Sequence, residues 1–286
     1  MTPLEQLAFW LNAQAPVLLY GPSGAGKTYS ATRIKTVGDR TLPELAGENA
    51  DAHPNGVISI SMTPETEENP LYGEVVHNEN ARFVHREGPI TRAYREGLRL
   101  VVNEITTSPA DVAHLWHPIA NCEPIVIKSA GFKLLHPAPG FQFVATTNLD
   151  GYGGNYRLSP AFYSRFQPIA WPGMTDEEQL AHFSARHPSL SPEILADFVT
   201  LAGRLSVALN TSDSPVVVSL REIDRACTLT AYLQDQGIDE PAARALGLTI
   251  RENIAVAARH LLPTFDAEAE QMLTVQYDRS RHGKAA

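Results

Sequence analysis

The chain has 286 residues, of which 43% are hydrophobic and 19% charged, with a formal net charge of −9. That is enough apolar material for one large or two modest packed domains, and it excludes a low-complexity chain. The acidic balance argues against a protein that coats nucleic acid, because phosphate contacts need clustered Lys and Arg.

The two cysteines, Cys122 and Cys227, are far apart and in no metal-ligand spacing, so both read as reduced thiols. The start, Met1-Thr2-Pro3-Leu4-Glu5, lacks a basic segment followed by an apolar one. No apolar run approaches the ~18–20 residues that span a bilayer. The expectation is a cytoplasmic protein without membrane contact.

Taken in chain order, Thr2 and Glu5 form a capping box for a first helix carrying Leu4, Leu7, Ala8 and Leu11 at helical spacing. Val17-Leu18-Leu19-Tyr20 has no polar alternation, which suits a strand buried on both faces. A glycine-rich loop follows, and Tyr29 to Lys35 continues as a helix. Further strands are expected at Val57 to Met62, Leu98 to Val102, Phe141 to Thr146 and, more weakly, Ile169 to Trp171. Helical patterns lie between most of them, so residues 1–172 read as an α/β layer structure. Tyr72 to Gly88 and Pro124 to Leu135 break the alternation and read as inserted hairpins. After Trp171-Pro172-Gly173 the pattern turns helical. Thr175/Glu178, Ser191-Pro192-Glu193, Ser219/Glu222 and Thr249/Glu252 are the helix starts, giving an all-helical domain over 173–286.

The loop Gly21-Pro22-Ser23-Gly24-Ala25-Gly26-Lys27-Thr28 fits the phosphate-binding P-loop pattern in full. Its glycines let backbone N–H groups turn toward phosphates. Lys27 can reach the β- and γ-phosphates, and the Thr28 hydroxyl can ligate Mg²⁺. Gly21 through Tyr29 is therefore the expected ATP-binding segment. Arg99-Leu100-Val101-Val102-Asn103-Glu104 is the candidate acid-bearing strand. Glu104 would polarise the attacking water, and Asn103 stands where an Asp normally supports Mg²⁺ through water. An amide oxygen can accept from a metal-bound water but brings no charge, so weaker Mg²⁺ binding or slower turnover is expected. Asn148 ends the fourth strand, where an amide can hold the lytic water. Leu158 to Phe166 reads as a capped helix ending in Arg165, which could act as an arginine finger on a neighbouring subunit, with Arg157 as a weaker competitor. Arg221 opens a later helix from which it could reach nucleotide. His114 and His117, one helical turn apart, read as a helix face, and Glu65, Glu67 and Glu68 as a solvated loop.

The order of these motifs resembles an AAA+ ATPase. Glu87-Gly88-Pro89-Ile90-Thr91-Arg92-Ala93 with Gly97, and His136-Pro137-Ala138-Pro139-Gly140-Phe141 through Asn148, resemble the corresponding passages of the MoxR group. Leu71-Tyr72-Gly73 stands at a step where that group has a preceding Asp, which is missing. Gly151 to Tyr156 and the compact length are similar to the CbbQ/NorQ activases, the GvpN proteins and CobS-type subunits. The resemblance implies a parallel five-stranded core of order 5-1-4-3-2, a helical lid, and inserts near 72–88 and 124–135. It also implies ATP and Mg²⁺ as cofactors, a ring of copies (a hexamer in the group), a von Willebrand A domain adaptor and a protein client.

Three functional readings follow. The first is an ATP-hydrolysing remodeller of a protein client. The second is a slow-hydrolysing assembly or signalling module, motivated by Asn103. The third is a nucleic-acid-stimulated motor of a defence system, which the acidic balance opposes.

Overall fold

The computed structural model describes residues 1–47, 50–77, 83–148, 160–211, 214–215 and 218–238. The chain divides into two compact units. The first holds residues 1–22 and 26–172, and the second begins at Gly173 and includes Ser23–Ala25.

The first unit is built on a parallel sheet of five strands: β1 (Val17–Gly21), β2 (Val57–Ser61), β3 (Arg99–Asn103), β4 (Gln142–Asn148) and β5 (Gln167–Ala170). The order across the sheet is β5-β1-β4-β3-β2, every neighbouring pair parallel, as the sequence resemblance implies. Strands covered on both faces carry continuous apolar runs. Leu18, Leu100, Val102, Phe143 and Ala145 accordingly share one core with Ile90, Tyr94, Trp116, Phe162 and Phe166. At roughly 1.5–3 kcal/mol for each large apolar side chain buried, this core holds the strand ends in fixed register. Gly21 ends β1 in a space that admits only glycine, because a Cβ there would lie 2.1 Å from the Trp171 carbonyl oxygen.

The first helix spans Pro3–Asn12 with both halves of the Thr2/Glu5 capping box made. The helix expected over Tyr29 to Lys35 differs. It runs Lys27–Arg33 and gives way to an antiparallel hairpin, Ile34–Val37 with Arg40–Leu45. Two physical causes are visible. Ile34, Thr36 and Val37 are β-branched and precede a Gly38-Asp39 turn with Gly38 at φ +59°. Arg99, fully buried at the start of β3, then takes over the helix's last carbonyls. Its Nη1 donates to Ala31 O (3.3 Å) and Ile34 O (2.7 Å), its Nη2 to Thr36 Oγ1 (2.8 Å) and its Nε to Gln142 Oε1 (2.8 Å). No carboxylate among the described residues pairs with it, and burial pushes its pKa down to about 10. His53 is buried as well, and its pKa is pushed down to about 4 by burial and then by Arg99, so it stays neutral.

The two irregular stretches are hairpins, Gly73–His77 with Phe83–Glu87 and Ile125–Ile127 with Lys133–Leu135. The Ser129 hydroxyl donates to Gly73 O (2.7 Å), and Lys128 pairs with Glu68 (3.0 Å), so the two inserts are tied together.

In the second unit, helices span Asp176–Arg186, Pro192–Leu209 and Leu220–Asp235. Thr175 and Glu178 make a complete capping box. Phe183, Leu195, Phe198, Leu201, Leu205, Ile223 and Cys227 form the core of this unit. Asp224 joins two of the helices by accepting from Arg186 Nε (2.7 Å) and by its contact with His187 Nε2 (2.8 Å). The helix start expected at Thr249/Glu252 lies outside the described residues.

Candidate nucleotide site

The carboxyl ends of parallel strands leave their side chains and the following loops on one edge of the sheet, where α/β proteins bind ligands. Here three adjacent strands end together. Gly21 of β1 is level with Asn148 of β4, and Asn103 ends β3 level with Ser61 of β2. The loop leaving β1 turns through Gly24 (φ +72°) and Gly26 (φ +81°), left-handed conformations that glycine adopts without strain, and Lys27 then opens the helix. The backbone N–H groups of that first helical turn have no intrahelical partners, which makes such a loop an anion receptor.

Lys27 is 7% exposed. Its ammonium donates to Gly21 O (2.9 Å), Pro22 O (2.6 Å) and Asn148 Oδ1 (3.0 Å). Burial pushes its pKa down to about 8, partly offset by the charge of Glu104. Three neutral acceptors and one nearby carboxylate hold a cation that phosphates would satisfy better.

The Thr28 hydroxyl donates to Asn103 Oδ1 at 2.7 Å. The Asn103 amide nitrogen donates to Ser59 Oγ (2.9 Å) and, more weakly, to Ser61 Oγ (3.5 Å). Thr28 Oγ1 and Asn103 Oδ1 are both hard oxygen donors, the ligand type Mg²⁺ takes. No group of three or more His, Cys, Asp or Glu among the described residues could hold a metal unaided. The residues therefore fit a Mg²⁺ that brings most of its ligands with it, as phosphate oxygens and water.

Glu104 sits at φ +52°, ψ +46°, a left-handed conformation that costs a non-glycine residue on the order of 1 kcal/mol. Its surroundings enforce it. Glu104 N–H donates to Thr146 Oγ1 (3.3 Å), and its carbonyl accepts from Thr107 N (2.8 Å) and Thr107 Oγ1 (2.7 Å). The Thr106 and Thr147 hydroxyls meet at 2.9 Å, stitching the turn after β3 to β4 beside Asn148.

The structure thus brings together Lys27, Thr28, Asn103, Glu104 and Asn148, all anticipated from sequence. Tyr29 is half-buried with the Arg33 guanidinium 4.9 Å over its ring. Arg165 is elsewhere. It precedes β5, whose first residue Gln167 is level with Val17 at the start of β1, so it stands at the edge of the sheet opposite the phosphate loop. Its Nη1 donates to Ala161 O, and its Nε is buried with no hydrogen-bond partner among the described residues. Arg221 is exposed in the first turn of its helix in the second unit, behind a start at Ser219 whose N–H donates to Glu222 Oε2 (2.9 Å). Arg157 and Gly151 to Tyr156 lie outside the described residues. Sequence reasoning missed Ser59 and Ser61. The signal was their alternation with Ile58 and Ile60, which places both hydroxyls on one face of β2.

Residues 16–166 match the AAA domain of the dynein-related subfamily. The chain belongs to that AAA family. Among curated proteins, this AAA-family chain is 26% identical over 216 residues to protein NorQ of Paracoccus denitrificans, covering 75% of the chain and 73% of NorQ. It is 25% identical over 176 residues to the gas vesicle ATPase GvpN2 of Halobacterium salinarum, covering 56% of the chain and 48% of GvpN2. It is 24% identical over 198 residues to midasin of Dictyostelium discoideum, covering 69% of the chain but only 3% of midasin. A second midasin, from Giardia intestinalis, is likewise spanned over just 4% of its length. With NorQ and GvpN2 as relatives, the chain falls in the MoxR group. No helix among the described residues is long and apolar enough to cross a membrane.

Proposed function

We propose that this AAA+ ATPase hydrolyses Mg²⁺–ATP in a ring of its own copies and uses the cycle to remodel a protein client in the cytoplasm. The observation that carries the reading is the convergence of Lys27, Thr28, Asn103, Glu104 and Asn148 at three adjacent strand ends. In this reading the loop N–H groups and Lys27 hold the phosphates. Thr28, with Asn103 behind it, supports Mg²⁺, which draws charge from the β- and γ-phosphates when bound. Glu104 takes the proton of the attacking water, and Asn148 orients that water. Arg165 acts on the site of the neighbouring copy, and Arg221 closes over nucleotide from the helical unit.

The client-facing part of the proposal draws on the two tied inserts, which expose Val75, Phe83, Val84, Val126, Phe132 and Leu134. Apolar side chains held out on hairpins suit transient contact with an unfolding chain. Membership of the MoxR group makes a hexameric ring and a von Willebrand A domain adaptor part of the same proposal.

The test is Mg²⁺-dependent phosphate release by the assembled protein, with Lys27→Ala and Glu104→Gln as controls. Turnover that survives both substitutions rejects the site. Asn103 supports a second reading, in which nucleotide is bound tightly, hydrolysed slowly and used to hold a complex together. Turnover that rises many-fold in Asn103→Asp favours it.

A further inference from the structure

We propose that Ser59 sets the polarity of the Asn103 amide, so that the metal side of the nucleotide site presents oxygen without charge and takes ATP almost equally well with and without Mg²⁺. This rests on the ATP-site reading above and deepens it.

A carboxylate offers oxygen whichever way it turns. An amide does not: one end is an acceptor and the other carries two N–H donors. If Asn103 turned around, its NH₂ would face Thr28 Oγ1, where a cation and its bound waters need acceptors. Two contacts favour the observed orientation. Ser59 Oγ (2.9 Å) and Ser61 Oγ (3.5 Å) supply two acceptors on the amide-nitrogen side, and the Thr28 hydroxyl supplies one donor on the oxygen side (2.7 Å). The two acceptors match the amide's two N–H donors, and the Thr28 proton takes one of the oxygen's two lone pairs. It also leaves the lone pairs of Thr28 Oγ1 free for a metal, since its proton is already directed at Asn103. Ser59 makes the shorter contact and so is the positioning residue.

The charge count supplies the second half. Among the described residues at these strand ends within one copy, before any arginine closes over the nucleotide, Lys27 and Glu104 carry the charge and cancel. A carboxylate in place of the Asn103 amide would leave the cluster with a net negative charge, which metal-free ATP would meet without a counter-ion. The neutral amide removes that repulsion. Mg²⁺ then contributes little to holding the nucleotide and acts chiefly on the chemistry.

The experiment measures binding of a fluorescent ATP analogue to the full chain in EDTA and in graded Mg²⁺. Asn103→Asp, Ser59→Ala, Ser59→Thr and the Ser59→Ala/Asn103→Asp double variant are compared. The natural chain is expected to lose less than about threefold in affinity on removing Mg²⁺, and Asn103→Asp about tenfold, the effect of one added charge near the phosphates at partial solvent screening. Ser59→Ala is expected to raise the Mg²⁺ concentration at which the bound analogue responds half-maximally by about threefold, and Ser59→Thr to restore it. In the Asn103→Asp background Ser59→Ala should change nothing, because a carboxylate has no wrong orientation. Tenfold or greater loss in the natural chain without Mg²⁺ overturns the proposal. So does a Ser59→Ala effect that persists unchanged in the Asn103→Asp background, which would mark Ser59 as merely structural. Binding that Lys27→Ala leaves intact would instead reject the ATP-site reading itself.

Discussion

The buried position of Lys27 has a measurable consequence for pH dependence. In the free protein its pKa is pushed down to about 8, by burial first, with Glu104 partly opposing. Bound phosphates favour the cation, so the nucleotide complex keeps Lys27 protonated well above that value. Between the two values binding takes up a proton, and affinity falls as pH rises. With the free-state value near 8, the apparent dissociation constant scales as 1 + 10^(pH − 8). It therefore rises roughly eightfold between about pH 7.5 and about pH 9.0, a little over 1 kcal/mol. The phosphate's own last ionisation, near 6, lies below this window and does not contribute.

The assay is equilibrium binding of a fluorescent ATP analogue across that range, with far-ultraviolet circular dichroism to show that the fold persists. Lys27→Met provides a background without the titrating group and should bind weakly and independently of pH. Nucleotide-free stability has the opposite sign. A lysine whose pKa is lowered by folding binds fewer protons in the native state than in the unfolded one between about 8 and 10.5, so stability rises with pH there. Affinity constant within twofold from about pH 7.5 to about pH 9.0, in protein that stays folded, would refute this account of Lys27.

Glu104→Gln should abolish hydrolysis by at least about a hundredfold while nucleotide binding stays within a few-fold, because the carboxylate acts on water and not on phosphate; single-turnover phosphate release separates the two. Arg99→Met should destabilise the first unit by about 2–4 kcal/mol, since Ala31 O, Ile34 O, Thr36 Oγ1 and Gln142 Oε1 lose a buried charged donor, and Arg99→Lys should recover only part of that in chemical denaturation. Arg165→Ala should bind ATP but turn over poorly, and mixing it with Lys27→Ala copies should restore turnover above that of either variant alone.

The parts most legible in sequence were those fixed locally. The phosphate loop needs a set spacing of glycines and a lysine, and the central strands, covered on both faces, show as unbroken apolar runs such as Val17 to Tyr20. The capping boxes at Thr2 and Thr175 are self-contained within four residues. What escaped was decided by partners distant in sequence. Residues 29–35 look helical in isolation, and only Arg99, reaching back to Ala31 O and Ile34 O, shows why the helix stops. Arg99 itself reads as an ordinary polar strand start until burial shows that it has no solvent. Asn103 stands out in the sequence as a departure from Asp, but its orientation depends on Ser59, contributed by the neighbouring strand.

The position of Arg165 bears on why a single copy would be an incomplete catalyst. β5 runs parallel to β1 with Gln167 beside Val17, while the phosphate loop leaves β1 at Gly21. Four strand steps at ~3.3 Å separate the two levels by about 13 Å. Arg165 lies in the turn two residues before Gln167, and its guanidinium folds back on Ala161 O. A residue at that edge cannot neutralise charge developing at the other edge of the same sheet. Yet its Nε is buried without a hydrogen-bond partner among the described residues, a cost that a static surface arginine would avoid by turning to solvent. Among the described residues, each copy therefore carries the proposed phosphate site, whose built-in cation is Lys27, and, at the opposite edge of the sheet, a cation without an anion. In the proposed assembly, head-to-tail association would join the two, and repetition of such a contact would close a ring when the rotation permits. Mixed assemblies decide the matter. Lys27→Ala copies donate Arg165 without binding nucleotide, and Arg165→Ala copies bind nucleotide without donating. Recovery on mixing requires the arginine to act across the contact, whereas a role within its own chain predicts none.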